Sequence, residues 1–335
     1  MLEHLLITGG AGFIGSHLAD RWLAEGGRVT VLDDLSTGAL ANLVDAARSP
    51  RLAVVQGSVL DRRRVRALVE EADSVAHLAA VVGVERVCRQ PRETWTVNLE
   101  GGRTVLDAAA EVGRPVLLAS SSEVYGDSAP LPSREDGPVG FGPPEHPRWS
   151  YAASKLAVES YGLALERELG LPVRVVRFFN TSGPRQSSRS GMVLPRWVEA
   201  ALDGRPLEVH GDGRQSRCFC HVADAVEALV RLMREPRTVG RVVNIGSEQE
   251  HRLEALARAV VERTGSRSEV VSWTPEVERD DPRRRVPSLE RLRTTVDFVP
   301  ERPVESIIDD LVSHVATVGR PPADAGPGTR PVEGL

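Results

Sequence analysis

Three glycines near the start of the chain constrain its fold more than any other feature. Gly9, Gly12 and Gly15 stand between an apolar run at 5–8 and an amphipathic stretch at 13–24. Glycine at these spacings lets a strand turn tightly into a helix, lets the backbone approach a pyrophosphate and lets the helix pack against the strand. The N–H groups at the helix N-terminus then bind the phosphates. The pattern predicts a βα unit that binds a dinucleotide.

Short apolar runs alternate with amphipathic stretches throughout the first 180 residues. Strands separated by helices are typical of a parallel sheet that is covered on both faces. The sequence therefore predicts the α/β class, with a Rossmann-type doubly wound parallel sheet. The predicted strands are 5–8, 28–32, 52–56, 74–78, 115–119 and 173–177, and the predicted helices are 13–24, 62–71, 92–111 and 151–169.

The regular alternation weakens after residue 180, which predicts a smaller C-terminal α/β lobe over 181–318 that binds the substrate. The dinucleotide-binding domain is expected over 1–180, with one more strand returning to its sheet near 241–246. Residues 319–335 are rich in proline and glycine, so we expect them to form a disordered tail.

An acidic residue predicts which dinucleotide binds. Asp33, followed by Asp34, ends the second predicted strand about 20 residues beyond the glycines. A carboxylate at this place binds the ribose hydroxyls of adenosine and repels a 2′-phosphate. The sequence therefore predicts NAD as the cofactor rather than NADP.

A tyrosine and a lysine predict general base chemistry. Tyr151 and Lys155 are four residues apart in a predicted helix, which puts both side chains on one face. A nearby ammonium favours the phenolate and makes tyrosine a usable base near neutral pH. Lys155 is the only lysine among the 42 Lys and Arg residues of the chain, which suggests that guanidinium cannot replace it there.

Charge and cysteine content exclude several classes of function. A net charge of −5 gives no general attraction to nucleic acid or to an anionic membrane. No apolar run approaches the ~18–20 residues that span a bilayer, and the N-terminus lacks a signal-peptide pattern, so we expect a cytoplasmic protein. Cys218 and Cys220 are two residues apart, but no second pair completes a tetrahedral set, so no metal site is predicted.

Residues 1 to about 315 resemble the NAD-dependent epimerase/dehydratase family of extended short-chain dehydrogenases/reductases, and most of all its UDP-glucose and UDP-glucuronate 4-epimerases. The motifs that carry the resemblance occur in family order. They are the glycine turn, Ser120-Ser121-Ser122-Glu123-Val124-Tyr125-Gly126, the Tyr151/Lys155 pair, Arg177-Phe178-Phe179-Asn180 and Gly211-Asp212-Gly213-Arg214-Gln215-Ser216-Arg217.

The resemblance implies roles for individual residues. Ser121 corresponds to the catalytic serine or threonine, Tyr151 to the base, and Lys155 to the residue that binds the nicotinamide ribose. The substrate contacts implied are Asn180 and Arg217 at the diphosphate, Val193 and Leu194 at the nucleotide base, and Arg285 at a phosphate. The predicted cofactor contacts are Gly9, Gly12, Phe13, Ile14, Gly15, Asp33, Asp34, Leu78, Ala79, Ala80, Asn98, Tyr151 and Lys155.

Two departures from the family pattern matter. Ser58 stands where relatives usually have an aspartate near the adenine, which puts that contact in doubt. The chain reads Ser121-Ser122-Glu123 where dehydratases of the family read Thr-Asp-Glu, so the aspartate acid is missing and 4,6-dehydration is not expected.

Three functions remain open at this stage. The leading interpretation is a UDP-sugar 4-epimerase, in which Tyr151 and NAD oxidise C4 and return the hydride to the other face. The alternative is a UDP-glucuronate decarboxylase, because Ser121-Ser122-Glu123 is similar to the Thr-Ser-Glu of those enzymes. Glu123 would then aid proton delivery at C5. A non-catalytic dinucleotide sensor is the third interpretation, but such proteins tend to lack the Tyr-Lys pair.

Arg185, in Gly183-Pro184-Arg185-Gln186, is a candidate to meet a sugar carboxylate beside Ser122, with a diphosphate contact or a surface position as the alternatives. The substrate implied by the resemblance is a UDP-sugar, either UDP-glucose or UDP-glucuronate. A homodimer is also expected on the resemblance alone, and neither nucleic acid nor a membrane is expected as a partner.

Overall fold

The computed structural model describes residues 3–127, 129–188, 191–273 and 283–318. Segments rich in leucine and β-branched residues form most strands of its central sheet, and most of those strands are buried. The predicted tail at 319–335 lies outside the described residues. The strands are β1 (His4–Thr8), β2 (Arg28–Asp33), β3 (Leu52–Gln56), β4 (Ser74–His77), β5 (Val116–Ser121), β6 (Val173–Phe178), β7 (Thr181–Ser182), β8 (Leu207–His210), β9 (Ser216–Cys218), β10 (Cys220–His221), β11 (Arg241–Ile245), β12 (Glu250–Arg252) and β13 (Val270–Trp273).

Amphipathic segments between the strands form the helices of the described residues. They are α1 (Phe13–Ala24), α2 (Arg62–Glu71), α3 (Val84–Arg89), α4 (Pro91–Trp95), α5 (Gly101–Val112), α6 (Trp149–Leu169), α7 (Val193–Leu202), α8 (Val222–Arg234), α9 (Leu253–Thr264), α10 (Glu290–Val296) and α11 (Val304–Val318). None of these helices has the length and apolar character needed to cross a membrane.

The central sheet has seven parallel strands in the order β3-β2-β1-β4-β5-β6-β11. This arrangement confirms the predicted Rossmann-type fold class, and β11 is the strand that was expected to return to the sheet. The order reverses between β1 and β4. In doubly wound sheets, ligands bind in the crevice that such a reversal opens beyond the carboxyl ends of the strands.

Helices cover both faces of the sheet. Leu5 and Ile7 of β1 pack in a layer with α1 and α8, whereas Leu6 packs in a layer with α2, α5 and α6. Successive side chains of a strand point to opposite faces, so the consecutive apolar residues Leu5, Leu6 and Ile7 fill the layers on both sides of the sheet. All five residues of β1 are buried, and each buried leucine or isoleucine contributes about 1.5–3 kcal/mol.

A second apolar cluster lies beyond the carboxyl ends of the central strands. Helices α7, α9 and α11 pack around Trp197, against the small parallel sheet of β8 and β13. Strands β9 and β12 form a short antiparallel ladder beside it. This part of the chain places a second wall opposite the central sheet, with a cleft between them.

One predicted helix is interrupted. The sequence predicts a single helix over 92–111, but the structure has α4, a π-helical turn at Thr96–Glu100 and then α5. The wider turn places Asn98, which is 2% exposed, against the backbone that follows β4. Single π turns of this kind are frequent at functional sites.

Candidate active site

A cleft of about 1460 Å³ runs along the carboxyl ends of the central strands. The glycine turn lies at one end, and β8 and β9 lie at the other. Two predicted site residues, Asn98 and Arg185, are not among the residues that line it. The predicted residues that do line it are Gly9, Gly12, Phe13, Ile14, Gly15, Asp33, Asp34, Leu78, Ala79, Ala80, Ser121, Ser122, Glu123, Tyr151, Lys155, Asn180, Val193, Leu194, Arg217 and Arg285.

The turn between β1 and α1 requires glycine at two positions. Gly9 has a φ of +72°, and a Cβ there would lie 2.6 Å from the backbone nitrogen of Ala79. A Cβ on Gly15 would lie 2.4 Å from the carbonyl oxygen of Gly9. The backbone is therefore packed closely at the N-terminus of α1, where the cleft begins. This cradle fits the pyrophosphate of a dinucleotide, because a helix N-terminus binds phosphate and no side chain intervenes.

Asp33 holds the next part of the cofactor wall. Its carboxylate accepts hydrogen bonds from the backbone N–H of Ala11 at 2.9 Å and of Leu35 at 2.8 Å. Burial raises the pKa of Asp33, and these two bonds oppose the rise. The carboxylate is thus fixed to the glycine turn at the edge of the cleft, where it fits an adenosine ribose.

Ser36 and Thr37 also line this part of the cleft, although sequence reasoning did not select them. Their position follows from Gly38, whose Cβ would lie 2.9 Å from the Asp33 carboxylate and which therefore lets the loop lie flat against that residue. The signal in the sequence was the polar Ser-Thr-Gly run directly after the acidic strand end.

Tyr151 and Lys155 lie in the first two turns of α6, on the face toward β5. The Lys155 ammonium donates to the carbonyl oxygen of Ala119 at 2.8 Å and lies 5.9 Å from the centre of the Tyr151 ring. Tyr151 also makes a side-chain hydrogen bond with Ser121, the last residue of β5. The base, the lysine and the serine predicted from the sequence are therefore brought together.

The electrostatics of this group follow from burial. Burial lowers the pKa of Lys155 to about 8, while the carboxylate of Glu159 one turn further along α6 opposes the change. Burial raises the pKa of Tyr151, and the bond with Ser121 opposes that rise. Tyr151 needs added positive charge nearby to act as a base, and the Lys155 ammonium supplies it below about pH 8.

Asn98 acts on the cleft indirectly. Its amide oxygen accepts from the backbone N–H of Val81 at 2.7 Å, and its amide nitrogen donates to the Val81 carbonyl at 3.2 Å. Val81 lines the cleft just beyond β4. The predicted cofactor contact is therefore a support for the segment that forms the cleft wall.

Glu123 and two arginines form a charged cluster in the middle of the cleft. Glu123 lies in the 3₁₀ turn Ser122–Tyr125, and its carboxylate accepts from Arg285 Nη1 at 2.5 Å. Arg148 Nη2 lies 3.5 Å from the other carboxylate oxygen. The side chains of Arg285 and Arg148 are 7% and 11% exposed. Arg285, which the resemblance assigned to a phosphate, thus has a carboxylate partner in the turn that follows Ser121.

Arg148 was not predicted from the sequence. It directly precedes α6, so the helix that carries Tyr151 also fixes the start of this arginine's side chain. Its guanidinium lies 5.7 Å from the centre of the Trp149 ring. An arginine just before the helix that carries the tyrosine base was the available signal, and it becomes informative only when Glu123 is placed beside it.

The far end of the cleft is lined by polar residues from β9 and the segment after β6. Asn180 donates from its amide to the carbonyl of Cys218 at 3.0 Å, and buried Arg217 donates to the carbonyl of Ser216 at 2.8 Å. Val193 and Leu194 begin α7 at the same end. Further residues line this end that were not predicted, namely Arg196, His210, Arg214, Arg252 and Trp273.

Arg185 lies away from the cleft. Its guanidinium donates to Asp20 of α1 at 2.6 Å and to Asp45 at 3.2 Å. Its backbone has a φ of +67°, which directs the turn after β7 toward the outer side of α1. The predicted contact with a sugar carboxylate is not supported by this position, because two carboxylates of the protein already hold the guanidinium.

The fold and the cleft together are those of a dinucleotide-dependent enzyme. The profile of the NAD dependent epimerase/dehydratase family matches residues 5–246. The chain belongs to this family, and its cofactor is NAD.

Two curated relatives are both decarboxylases. The UDP-N-acetyl-alpha-D-glucosaminuronate decarboxylase of Bacillus cytotoxicus is 40% identical over 274 residues, which cover 81% of this chain and 83% of that protein. The UDP-glucuronic acid decarboxylase 1 of Xenopus tropicalis is 35% identical over 317 residues, 93% of this chain and 72% of that protein.

A similar solved structure is that of UDP-glucose 4-epimerase from Thermus thermophilus in complex with NAD. It has a TM-score of 0.82 and 30% identity, and the match covers 94% of this chain and 99% of that one. The fold is therefore shared with 4-epimerases, whereas the sequence relatives above are decarboxylases.

Proposed function

We propose that this protein is an NAD-dependent UDP-hexuronate decarboxylase. It binds a UDP-sugar that carries a C6 carboxylate, oxidises C4, releases C6 as carbon dioxide and reduces the ketone to a UDP-pentose. The relatives favour this alternative over the leading 4-epimerase interpretation, which rested on the family resemblance. The relatives are enzymes, which counts against a non-catalytic sensor. The chain also has the Tyr151/Lys155 pair, which such sensors tend to lack.

The observation that carries this proposal is the Glu123–Arg285 pair in the cleft. Among the described residues, no acceptor contacts Nε or Nη2 of Arg285, although both nitrogens are buried. A buried guanidinium with two free donors matches the geometry of a carboxylate. A hexuronate presents a C6 carboxylate to these donors. The diphosphate, which UDP-sugars of both enzyme classes share, also fits them, so the preference for a decarboxylase rests on this pair together with the decarboxylase relatives.

The first half of the reaction uses the group at β5 and α6. Tyr151 takes the proton of the C4 hydroxyl, and Ser121 hydrogen-bonds to Tyr151 and orients it. Lys155 stabilises the phenolate by its charge. When bound, NAD accepts the C4 hydride and later returns it. The product of this half is a 4-keto sugar. It is a β-keto acid, because the C4 ketone is β to the C6 carboxylate.

The second half uses the charged cluster. The C5–C6 bond breaks, carbon dioxide leaves, and the bonding electrons form an enolate whose oxygen accepts a hydrogen bond from Tyr151. Glu123, held at 2.5 Å by Arg285, lies where it can assist proton delivery to C5. Return of the hydride to C4 and of the Tyr151 proton to the C4 oxygen restores the hydroxyl and completes a cycle that is redox-neutral overall.

Substrate turnover tests the proposal directly. The purified protein with NAD is supplied with UDP-glucuronate or UDP-N-acetylglucosaminuronate labelled with ¹³C at C6. We expect one carbon dioxide per sugar consumed and a UDP-pentose identified by its proton couplings. The matched control is Tyr151→Phe, which should release none. A C4-inverted hexuronate that retains its label would contradict the proposal and restore the 4-epimerase.

Two further expectations, one from the resemblance and one from the absence of targeting patterns, remain predictions. A homodimer would be tested by light scattering of the purified protein. A cytoplasmic location would be tested by fractionation of the source cells.

A further inference from the structure

Asn244 lies fully buried on β11, and its side-chain amide joins three segments of the chain. Tyr125 donates its hydroxyl to the amide oxygen at 2.8 Å. The amide nitrogen donates to the carbonyl oxygens of Ser133 at 3.0 Å and of Ser288 at 3.2 Å. Both carbonyls can only accept, so the nitrogen must face them and the orientation of the amide is fixed.

The segments that meet at Asn244 carry the charged cluster of the cleft. Tyr125 belongs to the same 3₁₀ turn as Glu123, and Ser288 is three residues beyond Arg285. Ser133 links the two, because its N–H donates to the carbonyl of Val286 at 2.8 Å and its carbonyl accepts from Ser288 at 2.9 Å. The amide therefore lies at the junction that sets the separation of Glu123 from Arg285.

The surroundings of Asn244 hold it rigidly. Its backbone N–H donates to Glu135 at 2.9 Å, and the other oxygen of Glu135 lies 3.8 Å from Arg291. The Tyr125 ring lies 5.8 Å from the Phe179 ring and 4.8 Å from the Arg177 guanidinium. Since every one of these groups is buried or half-buried, a loss of the amide cannot be replaced easily by water.

We propose that Asn244 is a positioning residue, which holds the backbone of Arg285 against the turn of Glu123. This inference rests on the proposed function. The position of Arg285 relative to Glu123 then sets what fraction of the 4-keto intermediate loses carbon dioxide and what fraction is reduced back to a hexuronate. Asn244 does not touch the substrate. Misplacement of a catalytic group by about 1 Å costs a large factor in rate, so a small loosening is measurable.

The test uses Asn244→Asp and Tyr125→Phe. The aspartate puts a carboxylate oxygen where two carbonyl oxygens point, while the phenylalanine removes only one hydroxyl. In single turnovers with a UDP-hexuronate, we measure the absorbance of the reduced nicotinamide and the carbon dioxide released per sugar oxidised. We expect that ratio to fall about threefold to tenfold, as the loss of one or two hydrogen bonds predicts, with the oxidation rate little changed. Tyr161→Phe, on the outer part of α6, is the matched control and should change neither.

A second measurement does not depend on the reaction. Phenylglyoxal modifies accessible arginines, and peptide mass spectrometry gives the rate at each site. In the wild type Arg285 is 6% exposed. Arg174, on β6, is similarly buried at 9% and serves as the internal control. In both variants we expect Arg285 to be modified about threefold to tenfold faster while Arg174 keeps its rate.

The outcomes separate the proposals. Equal acceleration at Arg174 and Arg285 would mean general loosening and would overturn the role of Asn244, as would unchanged labelling in both folded variants. A wild type that releases no carbon dioxide overturns the proposed function, and the labelling then still decides whether Asn244 holds Arg285. If Asn244→Asp does not fold, Tyr125→Phe alone decides the question.

Discussion

Two regions of one cleft carry the two halves of the proposed reaction, and they are built in different ways. The oxidation region, Tyr151, Lys155 and Ser121, takes two of its members from a single helix turn. The carboxylate region, Glu123, Arg148 and Arg285, joins residues as far as 162 positions apart. The first can be read from spacing along the sequence, whereas the second exists only once the chain is folded. In the proposed reaction, the carboxylate region determines whether carbon dioxide is released, and it is the harder of the two regions to predict from the sequence.

The largest effect should come from the oxidation region. Tyr151→Phe removes the base and should lower turnover by ~10²–10⁴-fold, with nucleotide binding nearly intact. Lys155→Arg should also be severely impaired, because a guanidinium cannot take the place of a compact ammonium. Stopped-flow measurement of nicotinamide reduction tests both. Turnover close to that of the wild type in Tyr151→Phe would remove this tyrosine from the role.

The carboxylate region should fail differently. Glu123→Gln leaves Arg285 without its charged partner and should lower carbon dioxide release by roughly 10²-fold, while C4 oxidation falls much less. Measuring C4 oxidation and carbon dioxide release separately distinguishes the effects of the oxidation region from those of the carboxylate region. Glu290→Gln, which removes a carboxylate from an exposed pair with Arg134, is the control for the loss of one negative charge. If oxidation and decarboxylation fell together, the two regions would not be independent.

A smaller effect is expected at the cofactor wall. Asp33→Ala removes the carboxylate that fits the adenosine ribose and should weaken NAD binding about tenfold. NADP binding should weaken less, because removing the Asp33 carboxylate also removes its repulsion of the 2′-phosphate. Calorimetric titration with both cofactors measures this preference. Equal affinity of the wild type for NAD and NADP would count against the assignment.

The smallest effect is a pH dependence of stability that belongs to Lys155. Burial of the ammonium lowers its pKa in the folded protein to about 8, below the ordinary lysine value of 10.5. The unfolded chain therefore binds more protons between these values, so this group makes the free energy of unfolding rise with pH through that window. We expect the free energy of unfolding of the wild type, minus that of Lys155→Met, to increase from about pH 8 to pH 10.5. Denaturant titrations at several pH values give it, and a constant difference would contradict the lowered pKa.

Local patterns were enough for the fold class and for the cofactor half of the site. The glycine turn, Asp33 and the Tyr151/Lys155 spacing each depend on residues that are close in sequence, and the structure brings them to one cleft. The π turn at Thr96–Glu100 was missed because hydrophobic periodicity does not distinguish it from the flanking helices.

Long-range partners could not be predicted. Arg185 and Arg285 are both arginines in short polar segments, and nothing local to either indicates which will face the cleft. The structure sends the first to Asp20 and the second to Glu123. The placement of these two arginines could therefore not be predicted, whereas the preference for a decarboxylase over an epimerase comes from the sequence relatives.

The rarity of lysine has a practical consequence for anyone who studies this protein. Since Lys155 is the only lysine and is 6% exposed, ¹⁵N-lysine labelling would give a single side-chain resonance, and that resonance would come from beside the tyrosine base. Its chemical shift would report the protonation state directly, without mutagenesis or an assignment of the spectrum. The active site thus contains its own spectroscopic probe, and a change of that signal on adding nucleotide or sugar would follow binding in the intact enzyme.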